Sequence, residues 1–259
     1  MPALNGPART APNTNGHHAA TSTRLLITID GPAGVGKSTA AKLLARKLGI
    51  LYIDTGATYR SLAYVALASQ VSLANVPQLV KVAKSLPLVL RRSRSGGLRV
   101  LLDGRDVTRV IRTERITDAA AVVDQHAKVR AILVRLQRRL AGQQSCVVEG
   151  RDTGSVVFPG ASHKFFLTAR TTIRAKRRHA ELCGIQLDHP SISTIARQLR
   201  QRDRLDRSRQ VGPLIRPAGA IRIDTSDLDA QAVVSRMLDH LSPKRRTHRH
   251  SRPSCQSDL

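Results

Sequence analysis

The stretch Gly31-Pro32-Ala33-Gly34-Val35-Gly36-Lys37-Ser38-Thr39 sets three glycines within six positions ahead of a lysine and two hydroxyls. That spacing suits phosphate. Glycines let the backbone curl so that successive N–H groups point inward at phosphate oxygens, an approach that side chains would block. Lys37 is placed to reach the β- and γ-phosphates of a nucleoside triphosphate, and the Ser38 hydroxyl to ligate Mg²⁺. The segment leaves an apolar run at Leu25–Asp30 and opens a helical pattern at Lys37–Leu48, which is the context a phosphate-binding loop (P-loop) requires. The helix adds the positive end of its dipole. Such a loop serves GTPases, motor ATPases and kinases alike, although the chain has no NKxD-type guanine-reading segment.

A second set of residues narrows the choice. Arginines recur at helix starts and loop edges: Arg60 after Asp54-Thr55-Gly56, then Arg112, Arg130, Arg151 beside Asp152, Arg177 and Arg178, and Arg202, Arg204 and Arg209 around Asp203 and Asp206. A guanidinium fork grips phosphate oxygens bidentately and stays ionised at physiological pH. Taken singly, each arginine fits a solvated helix face. As a set they imply a second phosphate beside the one held by the loop.

The elements that must position these groups alternate. Strand Leu25–Asp30, helix Lys37–Leu48, strand Leu51–Asp54 and helix Gly56–Ala68 predict a parallel sheet with crossover helices. Leu86–Arg92 and Leu98–Leu102 flank Ser95-Gly96-Gly97 and predict a β-hairpin beside that sheet. Then follow a helix at Ala127–Leu140, strands at Ser145–Glu149 and Lys164–Leu167, an arginine-rich helix at Thr172–Cys183 and a helix from Ser191. A last strand at Ala220–Asp224 and a closing helix at Asp229–Leu241 complete the order. Residues 1–23 and 242–259 lack apolar periodicity and are expected to be disordered tails.

The 259 residues suit one α/β domain with an insertion. No apolar run has the length of a membrane span and no secretory signal is visible, so a cytoplasmic protein away from membranes is expected. Cys146, Cys183 and Cys255 are odd in number and widely spaced, which argues against a disulfide framework or a zinc site. The net charge is +25; residues 1–24 carry two arginines and residues 242–259 five basic groups against Asp258, which leaves +19 between Leu25 and Leu241. A folded body so basic predicts polyanionic ligands, nucleotides or nucleic acid. Three tyrosines and three phenylalanines offer no row of stacking platforms, so weak RNA association is left open on charge alone.

The chain resembles bacterial-type cytidylate kinase, a nucleoside monophosphate kinase, through ITIDGPAGVGKST (27–39), DTGATYR (54–60), DGRDVTRVIRTERITDAA (103–120), VVEGRDTGSVVFPG (147–160), KFFLTA (164–169) and RDRLDRSRQVGPL (202–214). The resemblance implies a P-loop NTPase-type parallel sheet flanked by helices within a single kinase domain at 24–241, its core at about 24–70 and 143–241. A small monophosphate-binding subdomain carrying the hairpin would be inserted at about 71–142, and a short lid would lie at about 177–205.

By the same resemblance, Gly31 to Thr39 with Arg177 and Arg178 would bind ATP. Thr55, Arg60, Arg112, Arg130, Arg151, Asp152, Arg202, Asp206 and Arg209 would bind CMP. Asp206 matches a carboxylate on the sugar hydroxyls, whereas Arg130 and Asp152 match residues at the pyrimidine edge, where a carboxylate accepts from the 4-amino group. Lys37, Arg151, Arg202 and Arg209 would neutralise the transferring phosphoryl group, with Mg²⁺ on Ser38 as cofactor. The acceptor is already an anionic phosphate oxygen, so alignment and charge neutralisation suffice and no protein nucleophile is called for. Ala121 stands where the family usually carries a serine that helps to read the base, and Thr153 replaces a usual apolar residue. A monomer is the default for this resemblance. The competing expectation is a P-loop ATP-dependent RNA-binding protein, which explains the charge but not the pairing of arginines with Asp152 and Asp206.

Overall fold

The computed structural model describes residues 24–93, 97–184 and 190–241. The expected tails, Cys255, most of the hairpin turn and the link 185–189 lie outside these residues.

In chain order the elements begin with β1 (Leu26–Asp30), α1 (Lys37–Leu48), β2 (Leu51–Asp54) and α2 (Thr55–Ala68). α3 (Val76–Lys84), β3 (Leu88–Arg92), β4 (Leu98–Leu102), β5 (Arg105–Asp106), α4 (Glu114–Val123) and α5 (Ala127–Ala141) follow. The chain returns through β6 (Cys146–Gly150), β7 (His163–Thr168), α6 (Thr171–Cys183), α7 (Ile192–Ser208), β8 (Ile221–Asp224) and α8 (Ala230–Leu241). Five strands form one parallel sheet in the order β2-β6-β1-β7-β8, while β3, β4 and β5 make a separate antiparallel sheet. The α/β class, the parallel sheet and the hairpin all stand as expected.

β1 is central and buried along its whole length, as a strand covered by helices on both faces must be. It pairs Leu26 with Cys146 on one side and Ile27 with His163 on the other. Strand order reverses about β1, and in open α/β sheets ligands settle at the carboxyl ends of the strands beside such a reversal. The glycine-rich loop leaves β1 there, and Gly150-Arg151-Asp152 leaves β6 alongside it. Gly36 holds the left-handed conformation (φ 86°) that turns the loop into α1.

α3, α4 and β5 were not expected from the pattern. α3 has only nine residues, three of them valine, and is nucleated by the Asn75 side chain accepting from Gln78 N and by a proline in its first turn. β5 is two residues long, too short for any periodicity. The main core joins the sheet, α1, α2, α8 and the helices between β2 and β6. α6 and α7 instead share a small core of their own, made by Ala175, Leu182, Ile195, Ala196 and Leu199.

Candidate active site

The glycine-rich loop wraps its own lysine. Lys37 is 6% exposed and its Nζ donates to Pro32 O at 2.7 Å. Burial, and then the nearby Arg151 guanidinium, pushes its ammonium down to about 7, against the opposing pull of Glu149, Asp206 and Asp30. Ser38 Oγ donates to Glu149 Oε2 at 2.9 Å, and the Tyr52 hydroxyl donates to the other carboxylate oxygen. Burial and then the charge of Asp54 raise the Glu149 carboxyl above its ordinary value, so a cation at this spot would be favoured. A hydroxyl beside a carboxylate is a hard oxygen donor pair, and it fits Mg²⁺.

Asp30, at the end of β1, ties two loops together. Its carboxylate accepts from Thr153 N (2.8 Å), Thr153 Oγ1 (2.7 Å) and Gly154 N (2.7 Å), which fixes the π-helical turn Thr153–Val157 against the P-loop strand. Burial raises its pKa despite these three bonds. The threonine that departs from the usual apolar residue therefore supplies two of the three donors.

Carboxylates gather most of the arginines at the same edge. Asp54 caps α2 by accepting from Ala57 N at 3.1 Å, and its Oδ2 receives Arg60 Nη2 at 2.6 Å and Arg112 Nη2 at 3.1 Å. Burial would raise the Asp54 pKa, but the two guanidiniums prevail and hold it below its ordinary value. Arg151 Nε bonds Asp206 Oδ2 at 2.8 Å, and Arg209 joins Asp206 to Asp124, whose Oδ2 lies 2.6 Å away. Arg130, 2% exposed, is clasped by Asp152, lies over the Tyr59 ring at 5.5 Å and donates to Asp124 O at 3.3 Å. Thr55 Oγ1 donates to Glu149 O at 2.7 Å, joining this array to the P-loop side.

Arg202 is different. It is partly buried, it feels Arg151, Asp206, Asp124 and Arg209, and among the described residues it has no ion-pair partner. Burial, and then Arg151, hold its guanidinium below the usual value. The Nε donors of Arg60, Arg130, Arg202 and Arg209 are all buried without an acceptor among the described residues. Buried donors left unsatisfied are rare in folded proteins, so four of them within one cluster of arginines call for an anion.

Two of the expected ATP-binding arginines have other partners. Arg177 donates to Thr225 Oγ1 (3.1 Å) and Leu228 O (3.2 Å), and Thr225 Oγ1 in turn donates to Val35 O (2.9 Å), so Arg177 stands behind the P-loop. Arg178 is half-buried and pairs with Glu181 at 3.1 Å. One turn earlier Arg174, unnoticed in the sequence, reaches the P-loop directly: Nη1 donates to Ala33 O at 3.0 Å and Nη2 pairs with Asp203 at 2.8 Å. Arg174 and Asp124 have their partners far away in sequence, where no spacing points to them; Arg209 and Asp124 are 85 residues apart. One signal for Asp54 was present, since an acid at the end of an apolar strand and just before a helix is a natural N-cap.

A glycine-rich loop closing on a lysine at the switch point of a parallel sheet, with an array of arginines gathered at the same edge, defines a P-loop kinase, a nucleotide-binding transferase. The profile of the cytidylate kinase family matches residues 27–243, and the chain belongs to that family. It is 44% identical to a cytidylate kinase of Geobacillus sp. (strain WCH70) over 214 residues, covering 82% of this chain and 94% of the relative. A cytidylate kinase of Pelotomaculum thermopropionicum is 44% identical over 223 residues, covering 85% and 97%. One of Bacillus cereus (strain ATCC 10987 / NRS 248) is 40% identical over 219 residues, covering 85% and 96%.

Proposed function

We propose that the protein transfers the γ-phosphoryl group of ATP to a phosphate oxygen of CMP or dCMP, giving ADP with CDP or dCDP, as one step of pyrimidine nucleotide metabolism. The observation that carries this reading is the set of four buried guanidinium donors without acceptors, gathered in a chain of this family. An acceptor phosphate oxygen attacks Pγ in line, the bond from Pγ to the β-bridging oxygen breaks, and the electron pair leaves with ADP.

The loop 31–39 holds the triphosphate through its backbone N–H groups and Lys37. Arg60 and Arg112 hold the acceptor phosphate, while Arg151, Arg202 and Arg209 lie where charge develops between the two nucleotides. Asp206 serves the sugar hydroxyls, and Asp152 with Arg130 reads the base. Ser38 and Glu149 would hold Mg²⁺, which when bound supplies charge neutralisation at the phosphate oxygens. Two polyanions meet in a site from which water must be kept, so the α6–α7 pair and the segment between β2 and β6 are expected to close over them. The kinase is proposed to act as a monomer. Among the described residues no helix is long and apolar enough to cross a membrane, and ATP and CMP as substrates suit the cytoplasm.

A coupled assay with ATP and each of CMP, dCMP, UMP and AMP tests the reading. CMP and dCMP are expected to be turned over and AMP not. UMP is expected to be a poor substrate rather than an excluded one, because Ala121 offers the base no side-chain hydrogen bond. Failure with all four nucleotides, together with ATP hydrolysis stimulated by RNA, would replace the kinase reading with the RNA-binding one.

Asp54 acts as a placeholder for substrate, keeping Arg60 and Arg112 aimed. Asp54→Asn is expected to raise KM for CMP about tenfold with kcat within about threefold, and to cost about 1–2 kcal/mol of stability, since both guanidiniums keep some solvent. A depressed carboxyl stabilises the fold fully above its ordinary value of 3.8 and loses that contribution as pH falls through the folded value. The difference in urea midpoint between wild type and variant should thus hold steady from neutral pH down to about 5 and shrink below about 4. A constant difference into strong acid would refute the ion-pair origin.

A further inference from the structure

α7 presents two unlike faces. Arg202, Asp206 and Arg209 point to the site, and Ile195, Ala196 and Leu199 are buried against α6. Arg197, Arg200, Arg204 and Arg207 fall on the remaining side, and all four are exposed. At 3.6 residues per turn their spacing of three, four and three keeps them within about a quarter of the helix circumference, opposite Arg202, over a length of about 15 Å. Among the described residues none of the four has an ion-pair or hydrogen-bond partner. Both acids of the helix, Asp203 and Asp206, are buried in pairs with Arg174, Arg151 and Arg209. Like charges three and four positions apart repel on a helix, so this row weakens α7 unless it meets negative charge.

We propose that the outer face of α7 binds double-stranded RNA through its sugar-phosphate backbone, a function that goes beyond nucleotide phosphorylation. The row is linear and cationic, and each guanidinium fork matches a phosphate. The helix has no aromatic residue, so bases have nothing to stack on, which disfavours single strands. Gln201 is exposed beside the arginines and supplies an amide for 2′-hydroxyls, the groups that line the wide minor groove of an RNA duplex. An anionic membrane is a poorer occupant, because an interfacial helix needs a free apolar face and that of α7 is already packed on α6.

The test is fluorescence anisotropy of a labelled RNA duplex of about 20 base pairs with the full chain, repeated across a salt series. Each phosphate neutralised contributes about 0.9 to the slope of log K against log salt. Replacing Arg197, Arg200, Arg204 and Arg207 together by glutamine is expected to lower that slope by about 3 to 4 and to weaken binding at least about tenfold at low salt. The melting temperature should hold or rise, because repulsion is relieved. Arg91→Gln with Arg99→Gln, on the β3–β4 sheet, serves as the control and should leave the slope unchanged. If the quadruple variant does not fold, the pairs Arg197/Arg204 and Arg200/Arg207 replaced separately should each lower the slope by about 2. An unchanged slope overturns the proposal. So does equal binding of a DNA duplex of the same sequence, or stripe-dependent binding of phosphatidylglycerol vesicles without binding of RNA.

Discussion

Arg202→Ala is expected to lower kcat for CMP phosphorylation by about three orders of magnitude, the scale on which an arginine that stabilises a transferring phosphoryl group contributes. The variant should melt at or above the wild-type temperature. That combination follows from the environment of Arg202. Among the described residues its Nε is buried without an acceptor and no carboxylate pairs with it, so its removal orphans none of them. Arg209 offers no such clean experiment. It joins Asp124 to Asp206, and its loss strands the buried Asp124, leaves Asp206 with Arg151 alone, and costs stability as well as activity. Arg202→Lys should recover only part of the loss, because an ammonium is a point charge without the bidentate fork. Steady-state kinetics beside thermal melts decide the matter, and turnover within a few-fold of wild type would remove Arg202 from the reacting centre.

Much of this architecture could be read from the sequence because it is local. Lys37–Leu48 is bounded by glycines that start and stop it, and the helix has those same limits in the structure. Buried parallel strands declare themselves as apolar runs, which is why β1 and β2 were legible to within a residue. α4 was not, because Glu114–Val123 follows the 3₁₀ turn Val110–Arg112 and its Thr113 N-cap turns its hydroxyl back to Val110 O rather than capping the helix. The site divides in the same way. Residues of the loop 31–39 take their roles from spacing alone, whereas the roles of Asp54, Asp124 and Arg174 exist only once distant segments meet. Arg112 reaches Asp54 across 58 residues, and Arg174 reaches Ala33 across 141. No periodicity encodes such a meeting. Composition did carry one part of it: with so few acids in a basic chain, a buried acid has many arginines to draw on, and Asp54 and Asp206 each hold two.

Gly212→Ala tests the part of the pocket that sequence spacing could not reveal. Gly212 has φ 65°, a conformation that a residue with a side chain adopts at a cost of about 1 kcal/mol. A methyl group there would also lie well inside van der Waals contact of Arg130 Nη2 and Asp152 Oδ2. Neither partner is free to retreat. Arg130 is 2% exposed, held over Tyr59 and bonded to Asp124 O, and Asp152 is 5% exposed. The methyl group must therefore part the ion pair or push the 212 loop outward, and either result spoils the edge proposed to read the base. The expected outcome is a rise of about 100-fold in KM for CMP, with KM for ATP within about threefold and a loss of about 2 kcal/mol of stability, part of it from the disturbed buried pair. Discrimination should fall too, with the ratio of kcat/KM for CMP over UMP approaching one, since the 4-amino group loses its acceptor. Parallel rises in both KM values with the CMP:UMP ratio intact would mean that Gly212 supports the loop rather than the base pocket, and that Arg130 and Asp152 bind each other instead of the pyrimidine.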